Sequence, residues 1–356
     1  MVKQFLNALK SIPNRFLKWS IAIDTPVFIV TIFGKPVLDN IKIGSYGKMY
    51  DTLCAFLPWL DAFLSSSIAK FIVVTYTAFC ILILLIKKLY RPFAVLIKHS
   101  SLEFPIGNID ESFKQSYWFK NINIDVSDLI ETNIPAAIKS QDEKLQAIKS
   151  IKRRKCFYYG IAHTPLIFRL GYQVGLKDMG FLHSYQRDSG NRRFSELYES
   201  DQDKQDFSRF DQENLQSKSQ ELLVTIATTY PISKQDLSCF NLREMHTLEL
   251  EVTETNMGTD FFSSYRKIVS YCTAITHELR KICKQYNIKK IHIVLSTSVN
   301  FTFVLGQYLN NNQIPEIIAY HYKKGDDPCY PWGVSIQKNW ENAVVYMNMA
   351  DTIMQK

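Results

Sequence analysis

The sequence predicts an α/β protein in which a two-helix transmembrane hairpin precedes a domain built from two related halves. Two observations lead to this fold class. Residues 291–322 read as a strand, a small polar turn, a helix and a second strand, and residues 156–186 repeat that pattern. Residues 71–86 form an apolar run without a charge near the N-terminus, as transmembrane helices do.

The two halves are related by an ungapped offset of 135 residues. Gly171 then falls under Gly306, Phe168 under Phe303, and Tyr185 under Tyr320. Chance similarity between two strand–helix–strand units could supply the hydrophobic matches. The shared Leu-Gly, the shared tyrosine and the equal spacing favour a true internal repeat, and such a repeat determines the architecture. Each half is therefore expected to be a parallel α/β unit.

The length of the chain predicts several domains, and its cysteine usage predicts a reducing compartment. A chain of 356 residues allows two or three domains. We expect a two-span membrane region at 1–90, a linker with a packing helix at 91–150, and the repeat domain at 151–356, with halves at about 151–220 and 221–356. Seven scattered cysteines without a CxxC pair indicate reduced thiols and no cysteine metal site.

The N-terminal region carries the signals of a membrane hairpin. The uncharged run at 71–86 is followed by Lys87, Lys88 and Arg91, although a buried core helix is the alternative. Residues 16–33 predict the first span and contain Asp24, which either lies near the headgroups or makes a polar contact between protomers or in a pore. Asp24 and Lys70 are therefore candidate membrane or oligomer contacts.

Charge is concentrated in the same region. Residues 1–98 hold 12 basic and 4 acidic residues, whereas the remaining 258 residues balance at 30 of each. A surface that coats nucleic acid generally is therefore not expected in the C-terminal part. Basic flanks stay in the cytoplasm, so both ends of the hairpin are expected to face inward.

The predicted ligand site lies at the two turns between strand and helix, residues 162–164 and 296–300. Ligands of parallel α/β sheets bind beyond the carboxyl ends of the strands, where helix N-termini favour phosphate groups. Capping of the helix by Ser298 or Asn300, and an ordinary loop role for His163, are the alternatives. The candidate ligand residues are His163, Thr164, Arg187, Ser296, Thr297, Ser298, Asn300, Tyr322, Lys323 and Lys324.

These motifs resemble a known family. The segment HIVLSTSVNFTFVLGQYLN, with the later Tyr320-His321-Tyr322 and Tyr330-Pro331, resembles the C-terminal half of the SAVED domain. The earlier FYYGIAHTPLIFRLGYQVG resembles its N-terminal half. The resemblance covers roughly residues 155–340 and implies two fused CARF-like Rossmann units. The family commonly has a small apolar residue or proline where Val299 and Asn300 stand, so the contacts of that turn are expected to differ.

A SAVED domain behind two membrane spans is similar to the transmembrane effectors of CBASS, a bacterial antiphage system. The resemblance implies that a nucleotidyltransferase makes a cyclic di- or trinucleotide, that the SAVED domain binds it without other cofactors, and that protomers then self-associate. The hairpin would disrupt the lipid bilayer of the inner membrane and cause death or arrest of the cell, with both termini and the SAVED domain cytoplasmic.

Two other functions stay open from the sequence. A membrane-anchored CARF-like nuclease could degrade the signal, with His163, Lys323 and Lys324 as the suspected groups. No carboxylate pair, metal cluster or nucleophile–base spacing indicates catalysis, so we expect a receptor and not an enzyme. A membrane sensor that recruits another effector is the third function.

Overall fold

The computed structural model describes residues 67–89, 93–102, 117–126, 133–150, 155–176, 182–187, 194–196, 210–211, 219–252, 257–258, 261–262, 264–310 and 312–347. The chain divides into two compact units, 1–92 and 93–356. The predicted first span, with Asp24, lies outside the described residues.

The described part of the first unit is one helix, α1 (Ser67–Leu89). It contains the uncharged run at 71–86, as the sequence predicted. Several of its large apolar side chains are exposed, among them Phe71 at 73 % and Phe79 at 51 %. Judged on length and hydropathy together, no helix within the described ranges qualifies as a membrane span. The side chain of Lys70, a candidate contact on this helix, is not among those described.

The second unit begins with the first half of the repeat. Its described elements are β1 (Phe93–Ser100), β2 (Trp118–Asp125), α2 (Ile134–Lys149), β3 (Lys155–Ile161), α3 (Thr164–Val174), β4 (Leu182–Arg187) and β5 (Phe194–Glu196). The strands form a sheet in the order β2-β1-β3-β4-β5. All neighbours are parallel except β4 and β5, which are antiparallel.

The second half repeats this plan. Its described elements are β6 (Phe210–Asp211), β7 (Glu221–Ala227), β8 (His246–Glu251), α4 (Tyr265–Tyr286), β9 (Lys290–Ser296), α5 (Val299–Leu309), β10 (Glu316–His321), β11 (Trp332–Ser335) and β12 (Val344–Tyr346). The strand order is β12-β11-β10-β9-β7-β8-β6. Pairing is parallel from β8 through β7 and β9 to β10, and antiparallel at both edges.

The internal repeat predicted from the sequence is confirmed by these bounds. Strand β9 and helix α5 begin and end 135 residues after β3 and α3. The order β2-β1-β3-β4-β5 also matches β8-β7-β9-β10-β11. Each half is therefore a complete parallel α/β unit with a similar sheet.

The repeat begins earlier in the chain than the sequence suggested. Residues 91–150 were expected to be a linker with a packing helix. Instead, β1 pairs with β3 over seven residues and lies inside the first sheet, with β2 on its outer side. The run Ala94, Val95, Leu96 and Ile97 is buried, as is usual for a central strand of a parallel sheet. The helical part of the expectation agrees with α2.

Helices α3 and α5 hold the two halves together through their glycines. A Cβ atom on Gly171 would lie 2.0 Å from the Phe303 carbonyl oxygen, and one on Gly306 would lie 2.3 Å from that of Phe168. The two contacts are equivalent under the repeat, since Phe168 and Phe303 are also 135 residues apart. The backbones therefore approach so closely that only glycine fits at either point.

A buried arginine also links the halves. The Arg169 guanidinium on α3 is 1 % exposed, and its Nη2 donates to Asp142 Oδ2 on α2 at 3.1 Å. The same Nη2 lies 3.1 Å from the Lys338 carbonyl oxygen, which belongs to the second half. Burial of a charge is costly unless it is paired and hydrogen-bonded, and Arg169 is both.

Candidate functional site

A cavity of about 620 Å³ lies beyond the carboxyl ends of parallel strands from both sheets. This is the edge at which open α/β sheets bind ligands. Its walls come from the segments that follow β1, β3, β7, β9 and β10. The lining residues are Leu102, Ala162, His163, Thr164, Thr229, Tyr230, Pro231, Ile232, Asp236, Leu295, Ser296, Thr297, His321, Tyr322, Lys324 and Tyr330.

The contact between α3 and α5 explains why both predicted turns reach one cavity. Each helix starts within three residues of the end of the strand before it, so its position fixes the turn. The helices touch at Gly171 and Gly306, and the turns that precede them, with Thr164 and Thr297, both line the cavity. The two helix N-termini, each a positive dipole end, both face this site.

In the first half, His163 is held by a serine that follows β1. The backbone N–H of His163 donates to Ser101 Oγ at 2.7 Å, and the same oxygen lies 2.7 Å from the imidazole Nδ1. His163 is also the N-cap position of α3, whose first residue is Thr164. Burial lowers the pKa of His163 to about 4, so the imidazole is neutral at pH 7.

A second histidine meets His163 across the two halves. The ring of His321, at the end of β10, lies edge-on to that of His163 with centroids 4.6 Å apart, and Trp332 packs 4.8 Å from His321. Burial, reinforced by the neighbouring His163, lowers the pKa of His321 to about 3. Both imidazoles are therefore uncharged hydrogen-bonding groups at neutral pH, and exposed Lys324 supplies a positive charge at the cavity.

In the second half, Ser296 orders the loop that follows β7. Its Oγ lies 3.1 Å from Thr229 Oγ1 and accepts from the Tyr230 backbone N–H at 3.2 Å. Thr297 Oγ1 lies 2.8 Å from Thr302 Oγ1 on α5. Small hydroxyl side chains therefore line this side of the cavity, and they permit a close approach of a ligand to the backbone.

Several predicted residues lie elsewhere. Ser298 caps α5 by accepting from the Phe301 backbone N–H, so the alternative of a capping role agrees with the structure. Asn300 is 1 % exposed within α5, and it does not line the cavity. Lys323 pairs with Asp326 at 2.7 Å and is not among the lining residues.

Arg187, the last residue of β4, has no described side chain. The other six predicted ligand residues, His163, Thr164, Ser296, Thr297, Tyr322 and Lys324, do line the cavity.

Sequence reasoning missed the loop after β7 and the imidazole of His321. The loop contributes Thr229, Tyr230, Pro231 and Ile232, and the short 3-10 helix Asp236–Cys239 follows it. A signal was present, because the loop follows a parallel strand just as the two predicted turns do. In the described residues, no group of three or more His, Cys, Asp or Glu side chains is placed to hold a metal ion.

Among solved structures, this chain is similar to two bacterial receptors. The Acinetobacter baumannii Cap4 SAVED/CARF-domain containing receptor, solved with the cyclic trinucleotide 3'3'3'-cAAA, is 16 % identical with a TM-score of 0.48. That alignment covers 71 % of this chain and 53 % of the receptor, about half its length. The Moraxella osloensis Cap4 receptor is 18 % identical with a TM-score of 0.40, over 63 % of this chain and 48 % of that one. No curated protein matches this chain.

A family model gives the assignment. The model of the SMODS-associated and fused to various effectors sensor domain matches residues 138–336, which is more than half of the chain. The match spans β3 through β11, and so it includes both turns and the cavity between them. On the sequence match and on the paired α/β halves, the chain belongs to the SAVED family of sensor domains.

Proposed function

We propose that this chain is a receptor for a cyclic oligonucleotide in CBASS-type antiphage defence. The observation that carries the proposal is the cavity, which both halves of the repeat build at the carboxyl ends of their parallel strands. The site contains two similar turns, residues 162–164 and 296–300. A ligand whose phosphate and base groups repeat can contact both turns in the same way. The cyclic trinucleotide bound by the Acinetobacter baumannii receptor belongs to this ligand class.

The phosphate groups are proposed to bind at the two turns. The N-termini of α3 and α5 present positive dipole ends there, and Thr164 and Ser296 add hydroxyl groups. Lys324 adds an exposed ammonium group at the cavity. The neutral imidazoles of His163 and His321 can donate hydrogen bonds without the desolvation cost of a buried charge.

Isothermal titration calorimetry tests this proposal. The full chain in detergent would be titrated with a panel of cyclic di- and trinucleotides that carry each of the four bases. We expect one panel member to bind, and Lys324→Ala to weaken that binding by about tenfold, as the loss of one charge-assisted hydrogen bond implies. Lys289→Ala, an exposed lysine at the opposite end of β9, is the matched control and should bind as the wild type does. No binding by any member of the panel would refute the proposal.

The proposed output is disruption of the bacterial inner membrane by the N-terminal region, with the SAVED domain and both termini in the cytoplasm. The exposed apolar side chains of α1 support an interaction of this region with lipid or with other copies. Ligand binding would drive self-association, which requires that the ligand bind the associated state more tightly than the free one.

Dye release from liposomes and sedimentation velocity test this output together. The full chain would be reconstituted in liposomes of bacterial lipid, and the binding member of the panel would be added. We expect leakage with ligand only, and a shift to larger species in detergent. Binding without leakage would favour a sensor that recruits another effector.

A nuclease is tested in the same samples. Chromatography of the nucleotide after long incubation distinguishes the two functions, because a receptor returns the ring intact. Linear products that disappear in a His163→Asn variant would replace the receptor proposal with an enzyme.

A further inference from the structure

The cavity wall contributed by the second half differs in chemistry from the two turns. It carries two exposed tyrosines, Tyr230 at 68 % and Tyr322 at 42 %, and the carboxylate of Asp236. Tyr230 is positioned by the hydrogen bond from its backbone N–H to Ser296, and Tyr322 packs on buried Tyr330 with centroids 5.4 Å apart. Exposed aromatic rings at a cavity are platforms on which a base can stack.

The Asp236 carboxylate is held in place from one side. Its Oδ2 accepts from Ser233 Oγ at 2.7 Å and from the Ser233 backbone N–H at 3.3 Å. A carboxylate offers about four acceptor positions. The group is therefore oriented by its neighbours and keeps acceptor capacity for a ligand in the cavity.

A carboxylate at this position selects for a particular ligand group. It repels phosphates, so the phosphates of a bound ring would remain at the turns. It accepts from an exocyclic amino group, such as that of adenine, cytosine or guanine. Uracil and hypoxanthine have a carbonyl at the corresponding position. The carbonyl oxygen and the Asp236 carboxylate would then be two acceptors facing each other, and neither would have a donor.

The geometry points to a base subsite formed by Tyr230, Tyr322 and Asp236, in which the tyrosines stack on a nucleobase and Asp236 reads its exocyclic amino group. This inference rests on the proposed cyclic oligonucleotide ligand and adds the class of base that the receptor prefers. Asp236 could instead serve only to orient the 3-10 helix through its contacts with Ser233. In that purely structural role it would not discriminate between bases.

The test compares rings whose bases carry the exocyclic amino group with rings whose bases lack it. The tightest ligand of the calorimetric panel would be paired with a ring in which every amino base is replaced, adenine or guanine by hypoxanthine and cytosine by uracil. Replacement at every position prevents the ring from rotating to hide the change. We expect the wild type to prefer the amino ring by about tenfold or more, and Asp236→Asn to reduce that preference at least fivefold, since an amide can also donate.

Matched controls separate this effect from misfolding. Glu341→Gln, at an exposed carboxylate outside the lining residues, should keep the wild-type preference. Tyr230→Leu and Tyr322→Leu should each weaken the binding of both rings at least about fivefold through lost stacking. Tyr346→Leu, at a tyrosine on β12 that is 50 % exposed, should leave the binding of both rings unchanged. Near-ultraviolet circular dichroism confirms the fold of each variant.

The outcomes of this test distinguish a failure of the base subsite from a failure of the proposed receptor function. If a ring binds and Asp236→Asn retains the wild-type preference, the subsite is refuted and the receptor stands. If the tightest ligand contains only uracil, the subsite is likewise refuted. If no ring binds, both the receptor and the subsite fail.

Discussion

The glycine contact between α3 and α5 yields the sharpest prediction, because the structure gives its geometry on both sides. Gly171→Ala would place Cβ 2.0 Å from the Phe303 carbonyl oxygen, and Gly306→Ala would place it 2.3 Å from that of Phe168. The closest comfortable carbon–oxygen contact is about 3.3 Å. The helices would therefore have to separate by about 1.3 Å and about 1.0 Å respectively, because the obstructing atoms are backbone and cannot rotate away.

The expected cost combines two opposing effects. Overpacking a well-packed interface costs about 1–3 kcal/mol, and a backbone obstacle places these sites near the upper value. Alanine is favoured over glycine in a helix interior by about 1 kcal/mol. Each variant should therefore lose about 2 kcal/mol of stability, which lowers the melting temperature by about 4–8 °C for a domain of this size.

The double variant tests the symmetry of the contact. Once one alanine has moved the helices apart, much of the space needed by the second is already open. Gly171→Ala with Gly306→Ala should therefore cost less than the sum of the single changes. Separation should also move the turns at Thr164 and Thr297, and it should weaken ligand binding together with stability.

Urea unfolding of the full chain, followed by near-ultraviolet circular dichroism, measures these changes. Lys144→Ala, at an exposed position of α2, is the control and should stay within about 0.5 kcal/mol of the wild type. Single variants of wild-type stability would show that the helices do not approach as described. Full additivity in the double variant would show that the two contacts are independent.

Three further predictions follow from the cavity and the buried charges. Burial lowers the pKa values of His163 and His321 to about 4 and about 3, below their unfolded value, so their contribution to stability is complete above about pH 6.5 and is lost as the pH falls towards 4. The free energy of unfolding in urea should therefore fall from pH 7.5 to 5.5, by up to about 1.4 kcal/mol for each histidine. Thr164→Ala should weaken nucleotide binding in calorimetry by about fivefold, whereas Asn300→Ala should leave the affinity unchanged, since Asn300 is buried away from the cavity. Arg169→Met should destabilise the domain by about 3 kcal/mol in urea unfolding, because Asp142 loses its charged partner and keeps the hydrogen bond from Gln173 Nε2.

Each of these predictions has a matched comparison. Replacement of both histidines by asparagine should reduce the pH dependence of the midpoint, while buried His99, whose pKa is lowered to about 3, keeps its own share. An unchanged slope would contradict the assignment to His163 and His321. Equal losses of affinity in the Thr164 and Asn300 variants would place the ligand elsewhere. Arg169→Met combined with Asp142→Leu should recover stability, since it removes both charges of the pair.

Much of the second unit could be predicted from local pattern. The strands β3 and β9, the helices α3 and α5 and their common spacing follow from apolar periodicity, small polar turns and the 135-residue offset. The same pattern identified the turns at Thr164 and Thr297 as walls of the site, because parallel strands present their carboxyl ends at one edge.

Local pattern could not reveal which distant segments join those strands. The assignment of 91–150 as a linker was wrong for β1 and β2, because their place in the sheet depends on pairing with β3, about 60 residues later. His321 and the Tyr230 loop enter the cavity for the same reason, through neighbours far away in sequence. Asparagine is common in turns, but Asn300 is the second residue of α5 and its side chain is buried.

The sequence by itself determined that two like α/β units occur in tandem and that an apolar segment precedes them, because periodicity and spacing are local properties of a chain. Only the tertiary structure decided that β1 completes the first sheet, that the glycine backbones touch, and that Tyr230, Asp236 and His321 share a cavity with the two turns. Those facts depend on contacts between residues far apart in the chain, which hydrogen bonding and close packing select together.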